Sequence, residues 1–176
     1  MWGHLIKSRA VTQFELLVGV SQWFRHHLDI IMVTKKVQVV IAAPAPSGEW
    51  SFLIFKTNKE RGHFWQNVTG HVEKGETFEE AALREVREES ALDIELIVDL
   101  QELGLVYHFQ DRRKQKCEEH SFLIVADKQW KPTIDAHEHD DWRWEKISDV
   151  SMKTLEWPSN NEALIKCANL LRRMGA

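Results

Sequence analysis

Short apolar runs punctuated by turn residues fill the first half of the chain, and helical spacing takes over in two places. Residues 37–42 (Val-Gln-Val-Val-Ile-Ala) are short and rich in β-branched side chains, which predicts a buried strand. Pro44, Pro46 and Gly48 mark a loop, and residues 50–55 (Trp-Ser-Phe-Leu-Ile-Phe) read as the hairpin partner. Residues 64–70 predict a short extended segment. Thr77 then opens a helical pattern in which Phe78, Ala82, Leu83 and Val86 form an apolar stripe. Glu79 and Glu80 fall in its first turn, where the helix dipole favours acids. Further strands are predicted at 94–100, 103–109 and 121–126, with a polar loop at 111–116. Trp142-Arg143-Trp144 alternates in strand fashion after an acidic run, and residues 163–174 predict a terminal helix. Strands and helices alternate without a regular βαβ period. The expected fold class is therefore α/β, one mixed β-sheet with helices on both faces.

The N-terminal segment is set apart from this pattern. Val11, Phe14, Leu17, Val18, Ser21 and Phe24 lie near one helical face, so residues 1–34 are expected to be a helical extension ahead of a domain at 35–176. Lys7 and Arg9 before a short apolar stretch give a superficial likeness to a secretory signal. A charge inside that stretch, the lack of a small-residue cleavage site and Arg25-His26-His27 downstream argue against export. Two readings stand: a helix packed on the domain or a partner, or a natural start at Met32.

Composition narrows the classes further. At 176 residues, 43% hydrophobic and 28% charged, the chain suits one globular domain with a sizeable core. The net charge of −4 disfavours a broad nucleic-acid or anionic-membrane surface. Two cysteines, Cys117 and Cys167, form no disulfide framework and no zinc site, which suits a reducing cytoplasm. No apolar stretch approaches the ~20 residues needed to span a bilayer.

The candidate chemistry lies on the first helix. Glu85, Glu88 and Glu89 stand at i, i+3 and i+4, so three carboxylates converge over one turn. Like charges at that spacing repel, and a cation among them removes the penalty. Hard Mg²⁺ prefers carboxylate oxygens together with water and substrate phosphates. Gly70 and Gly75 bracket a tight loop before the helix. Glu76 is eight positions ahead of Arg84, so a loop that folds back allows an arginine–carboxylate fork between them.

Gly70, Glu76, Arg84, Glu85, Val86, Glu88, Glu89, Ala91 and Leu92 together resemble the Nudix box. Its pattern is Gly, five residues, Glu, seven residues, Arg-Glu, an aliphatic, any residue, Glu-Glu, any residue, Gly and an aliphatic. The only departure is Ala91 in place of the last glycine, which bears on the tight left-handed end of the helix and not on the acids. The resemblance implies an α/β/α sandwich that hydrolyses a nucleoside diphosphate linked to another group. It also implies Glu85 and Glu89 as metal ligands with Glu88 close behind, Mg²⁺ as the cofactor (Mn²⁺ a possible substitute), and Glu76 and Arg84 as supports. The general base is left open, since the family draws it from different elements.

The flanks resemble one branch of the family, the bacterial dihydroneopterin triphosphate pyrophosphatases, also described as dATP pyrophosphohydrolases. The likeness is carried by Phe64-Trp65-Gln66-Asn67-Val68-Thr69-Gly70, by Glu138-His139, by residues 142–144 and by Trp157-Pro158-Ser159-Asn160-Asn161. It implies Glu138 as a further metal ligand or water-activating acid, set against a reading as one solvated acid among Asp135, Asp140 and Asp141. It implies a phosphate-contacting lysine at Lys35 or Lys36, and substrate contact at Thr69 and Gly70. Thr57 stands where the branch has a basic residue. Trp65 either stacks on a pterin or purine ring or belongs to the core; His71 either titrates near neutrality within the loop or faces solvent, and residues 112–116 are a solvated loop or a phosphate-attracting rim.

The resemblance thus implies Mg²⁺-dependent cleavage of dihydroneopterin triphosphate to the monophosphate and pyrophosphate, an early step of folate synthesis. The partner is a small-molecule pyrophosphate, with no nucleic acid and no membrane. The alternatives are a dATP or other nucleoside triphosphate pyrophosphohydrolase, a dinucleoside polyphosphate hydrolase, and a non-catalytic ligand-sensing module of the same fold. Sensing modules usually lose box acids, whereas all three are present here.

Overall fold

The structure is a computed structural model and describes residues 33–174. The helix expected over residues 11–28 lies outside the described residues. Seven strands form one mixed sheet: β1 (Thr34–Pro44), β2 (Trp50–Thr57), β3 (Trp65–Gln66), β4 (Val68–His71), β5 (Ile97–Gln110), β6 (Lys116–Ala126) and β7 (His139–Lys146). Two α-helices among the described residues accompany them, α1 (Phe78–Ser90) and α2 (Pro158–Met174).

The most apolar strand takes the central place. Residues 37–43 of β1 are all buried. β1 pairs antiparallel with β2 through one half and with β4 through the other, and parallel with β6 from Thr34↔Cys117 to Ala42↔Val125. The β1–β2 connection turns where Gly48 adopts φ +84°, as the proline- and glycine-rich segment predicts.

Period-two alternation sorts the side chains into two cores. Val37, Val39, Ile41, Leu53, Phe55, Phe122 and Ile124 pack against Ala81, Ala82 and Val86 of α1. Val40, Ala42, Phe52, Ile54, Leu123 and Val125 pack against Ala163, Leu164, Cys167 and Leu171 of α2. A helix covers each face, the layered α/β arrangement that the sequence predicts.

Several boundaries differ from expectation. Residues 94–100 and 103–109 are not two strands. Ile94–Leu96 is a single 3₁₀ turn, in which the Asp93 side chain accepts from the Glu95 N–H at 3.1 Å, and β5 then runs unbroken to Gln110. A register shift between Glu102 and Val106, with Gly104 at φ +64°, imitates a strand break in the sequence pattern. β6 starts at Lys116, five residues before the predicted strand, because the polar loop is only the tight turn of the β5–β6 hairpin. α2 starts at Pro158 and not at 163; proline suits a first helical turn, where its missing N–H is not needed.

Neutral amides fasten the start of α2 to the sheet. Gln38 on β1 donates to Ser121 Oγ at 2.9 Å and accepts from the amides of Asn67 (3.1 Å) and Asn160 (2.6 Å). All four side chains are buried.

Candidate active site

The loop between β4 and α1 is tied down before any acid is placed. Thr77 caps α1 by accepting from the Glu80 N–H at 3.1 Å, while Glu80 accepts from the Thr77 N–H at 2.8 Å, a reciprocal capping box. Arg84 folds the loop back as its spacing from Glu76 suggests. Its Nε and Nη2 each lie 2.9 Å from the two Glu76 oxygens, and Nη2 also donates to the His71 carbonyl at 2.7 Å. This fork holds the Glu76 carboxyl below the usual carboxylate range. The remaining Arg84 nitrogen, Nη1, reaches Glu85 at 2.8 Å and Glu88 at 3.2 Å. One guanidinium therefore binds three acids of the box.

Gly70 has a steric reason to be glycine. A Cβ there would fall 1.8 Å from the Glu85 carboxyl carbon, so the Glu85 head group lies directly on the β4 backbone. Half-burial raises the Glu85 pKa against the pull of Arg84, and the charges of Glu88 and Glu138 add to the rise. Glu89 is only 4% exposed, and burial is the main cause that pushes its carboxyl up to about 7. Its Oε2 lies 2.8 Å from His139 Nε2. Glu88 is the outlier of the three, with a side chain 60% exposed and turned to Arg84.

Glu138 arrives from the segment before β7. Asn58, which is buried, donates through its Nδ2 to the His137 carbonyl at 2.8 Å, and its backbone N–H donates to the Glu138 carbonyl at 2.9 Å. Arg61 of the same loop pairs with Glu138 Oε1 at 2.9 Å. Glu89, Glu138 and His139 thereby each offer a ligand atom within 4.8 Å of the others, and this is the metal-competent cluster among the described residues. Carboxylate oxygens dominate the donor set, and the charge of Glu138 adds to the rise in the pKa of Glu85 and of Glu89. That chemistry fits a hard divalent cation.

The other expected residues are more dispersed. Lys35 stands over the Phe78 ring at 5.4 Å and Lys36 over Phe109 at 5.9 Å. Thr69 pairs with Gln38 and alternates with Gly70, which puts its hydroxyl on the face of the sheet opposite Glu85. Trp65 packs against the α2-side core, with the Arg143 guanidinium 4.3 Å from its ring centre. Thr57 closes the β2–β3 connection through Phe64 N–H at 3.0 Å. Partial burial and Lys36 lower the His71 pKa. Arg112, from the basic run, donates to the Arg61 carbonyl at 2.9 Å, so the β5–β6 turn is attached to the loop that carries Glu138's partner.

Sequence reasoning passed over Asn58 and Arg61, and named His139 within the resembling segment without giving it a role. Asn58 and Arg61 sit in an ordinary polar loop. His139 is one member of an acidic run, and its complete burial follows only from the pairing of β7 with β2.

The chain belongs to the NUDIX domain family, which it matches over residues 34–167. It is a Nudix pyrophosphohydrolase. Over 120 residues it is 32% identical to a dihydroneopterin triphosphate diphosphatase of Haemophilus influenzae, covering 62% of this chain and 74% of that protein. The solved dihydroneopterin triphosphate pyrophosphohydrolase of E. coli superposes with a TM-score of 0.62 at 25% identity, covering 77% of this chain and 95% of that one. A C. elegans Ap4A hydrolase shares the fold with a TM-score of 0.67 at 23% identity, covering 80% and 99%. No helix among the described residues is long and apolar enough to cross a membrane.

Proposed function

We propose that the protein hydrolyses dihydroneopterin triphosphate to the monophosphate and pyrophosphate, with Mg²⁺ (or Mn²⁺) held by Glu85, Glu89 and Glu138 and with Glu88 at the exposed edge. The observation that carries this reading is the convergence of Glu89 and Glu138, 49 positions apart, beside a Glu85 carboxylate laid on Gly70. The likeness to a dihydroneopterin triphosphate diphosphatase over 74% of its length supports the choice of substrate.

Bound divalent ions offset the negative charge of the phosphates and lower the pKa of water. The chain's own residues do the rest. Arg84 keeps Glu85 from swinging off Gly70 and leaves Glu76 as a structural anion. The Asn58 clasp holds Glu138 against α1 from the opposite side. Arg61 and Arg112 place positive charge at the rim near Glu138, where a polyanionic substrate gains by long-range attraction. Thr69 and one lysine, Lys35 or Lys36, are proposed substrate contacts reached from the β4 edge, with Trp65 bounding the ring side. The 1–34 segment is proposed as an extension outside this machinery.

The test is a side-by-side panel of dihydroneopterin triphosphate, dATP, Ap4A and nucleotide sugars, compared by kcat/KM. The pterin substrate is expected to rank first. A higher kcat/KM for dATP or Ap4A would assign the enzyme to the corresponding nucleotide class.

A further inference from the structure

His139 has no side-chain exposure, and its ring lies 5.0 Å from that of Phe55 at an interplanar angle of 38°. Its backbone N–H donates to the Asp135 carbonyl at 2.8 Å, which anchors the start of β7. Of its two ring nitrogens, Nε2 meets Glu89 Oε2 at 2.8 Å, and Nδ1 is buried without a partner among the described residues. Opposite an ionised Glu89, the form that holds a cation, Nε2 carries the hydrogen. An imidazole kept only to fill space here is a poor choice, because Nδ1 loses its solvation and gains nothing. The ring is explained by what Nε2 does.

We propose that His139 is a positioning residue: its Nε2–H fixes Oε2 of Glu89 and leaves Oε1 as that carboxylate's one free ligand oxygen. A glutamate side chain has three torsions, and the last is broad and nearly two-fold. Without the imidazole the carboxylate swings and flips within its cavity. With it, Glu89 meets the cation already oriented. Partners of this kind, one step removed from a metal, typically contribute 10–100-fold in metal affinity. The rival role for the same ring is direct ligation through Nε2, which suits transition metals better than Mg²⁺ and requires that the bond to Glu89 break. The inference rests on the reading that Glu85, Glu89 and Glu138 hold a divalent ion.

Mn²⁺ binding to the full chain without substrate tests it, by calorimetry for affinity and by pulsed EPR for nitrogen bound to the ion. Wild type is expected to bind Mn²⁺ with no directly coordinated ¹⁴N. His139→Leu, folded by circular dichroism, should bind about 10–100-fold more weakly. His139→Gln, whose amide N–H reaches the place of Nε2, should stay within about threefold of wild type, a rescue that lost packing does not produce. Direct nitrogen coordination in wild type overturns the proposal, as does a folded His139→Leu that binds like wild type. Should His139→Leu not fold, the wild-type spectrum still decides, and a folded His139→Gln weakened tenfold or more also overturns it. Wild type that binds no Mn²⁺ would sink the metal reading along with this one, whereas wild-type-like binding by His139→Leu sinks this one alone.

Discussion

Ala91→Gly should stabilise the protein and leave its catalysis unchanged. α1 ends at Ala91 in the left-handed region, φ +51° and ψ +33°, with its N–H donating to the Arg87 carbonyl at 3.0 Å. The left-handed helix end therefore forms without the family's glycine, with the methyl group held where L-residues are disfavoured by roughly 1–2 kcal/mol. The methyl is solvent-exposed, so removing it forfeits little packing. Glycine loosens the unfolded chain and takes back about 0.4–1 kcal/mol. The balance is a gain of about 0.5–1 kcal/mol, or a rise in Tm of about 1–4 °C for a domain of this size. Thermal unfolding at fixed pH, paired with steady-state kinetics, measures both parts. A Tm unchanged or lowered in Ala91→Gly would refute the strain argument, and a changed kcat would show that the helix end does more than terminate α1.

Other substitutions probe the site itself. Glu89→Gln should abolish turnover with an unchanged circular dichroism spectrum, because an isosteric amide costs nothing in a setting that already resists the charged form; retained activity would refute the metal assignment. Glu138→Ala should slow the reaction less severely, and an unchanged rate would return it to the solvated acids. Gly70→Ala drives a methyl into the Glu85 carboxylate and should lower kcat by about 10²-fold at a stability cost of about 1–3 kcal/mol; normal activity would show that Glu85 moves freely. Burial raises the Glu119 pKa above its ordinary 4.5 against the pull of Lys36. Folded protein then keeps a proton that the unfolded chain sheds above about pH 4.5, so stability falls as pH rises until the folded carboxyl itself ionises. Glu119→Gln should remove that fall, with a stability advantage in urea that is larger at pH 7 than at pH 4; an equal advantage at both would contradict the burial argument.

The box was legible because its residues lie close in sequence and their spacing is fixed by one loop and one helix. Arg84 reaching back to Glu76 could be expected from their separation of eight positions. Both faces of the sheet could also be read, since Val37, Val39 and Ile41 alternate cleanly with Val40 and Ala42. What escaped depends on partners far along the chain. The amides of Gln38, Asn67 and Asn160 look like ordinary polar residues until β1, β4 and α2 meet. His139 is one more polar residue beside an acidic run until β7 lies on β2. The bulge at Gly104 hides the continuity of β5, because a slip in register interrupts the alternation that marks a strand.

β1 and β6 run parallel, with paired residues 83 positions apart. A ribosome adding 5–20 residues per second needs roughly 4–17 s to supply that partner. During this interval the nascent chain holds its most apolar strand satisfied on one edge at best. Pairings of such high contact order close late and slowly. A chain that ends before β6 therefore leaves that edge of β1 open as a template for pairing with other strands.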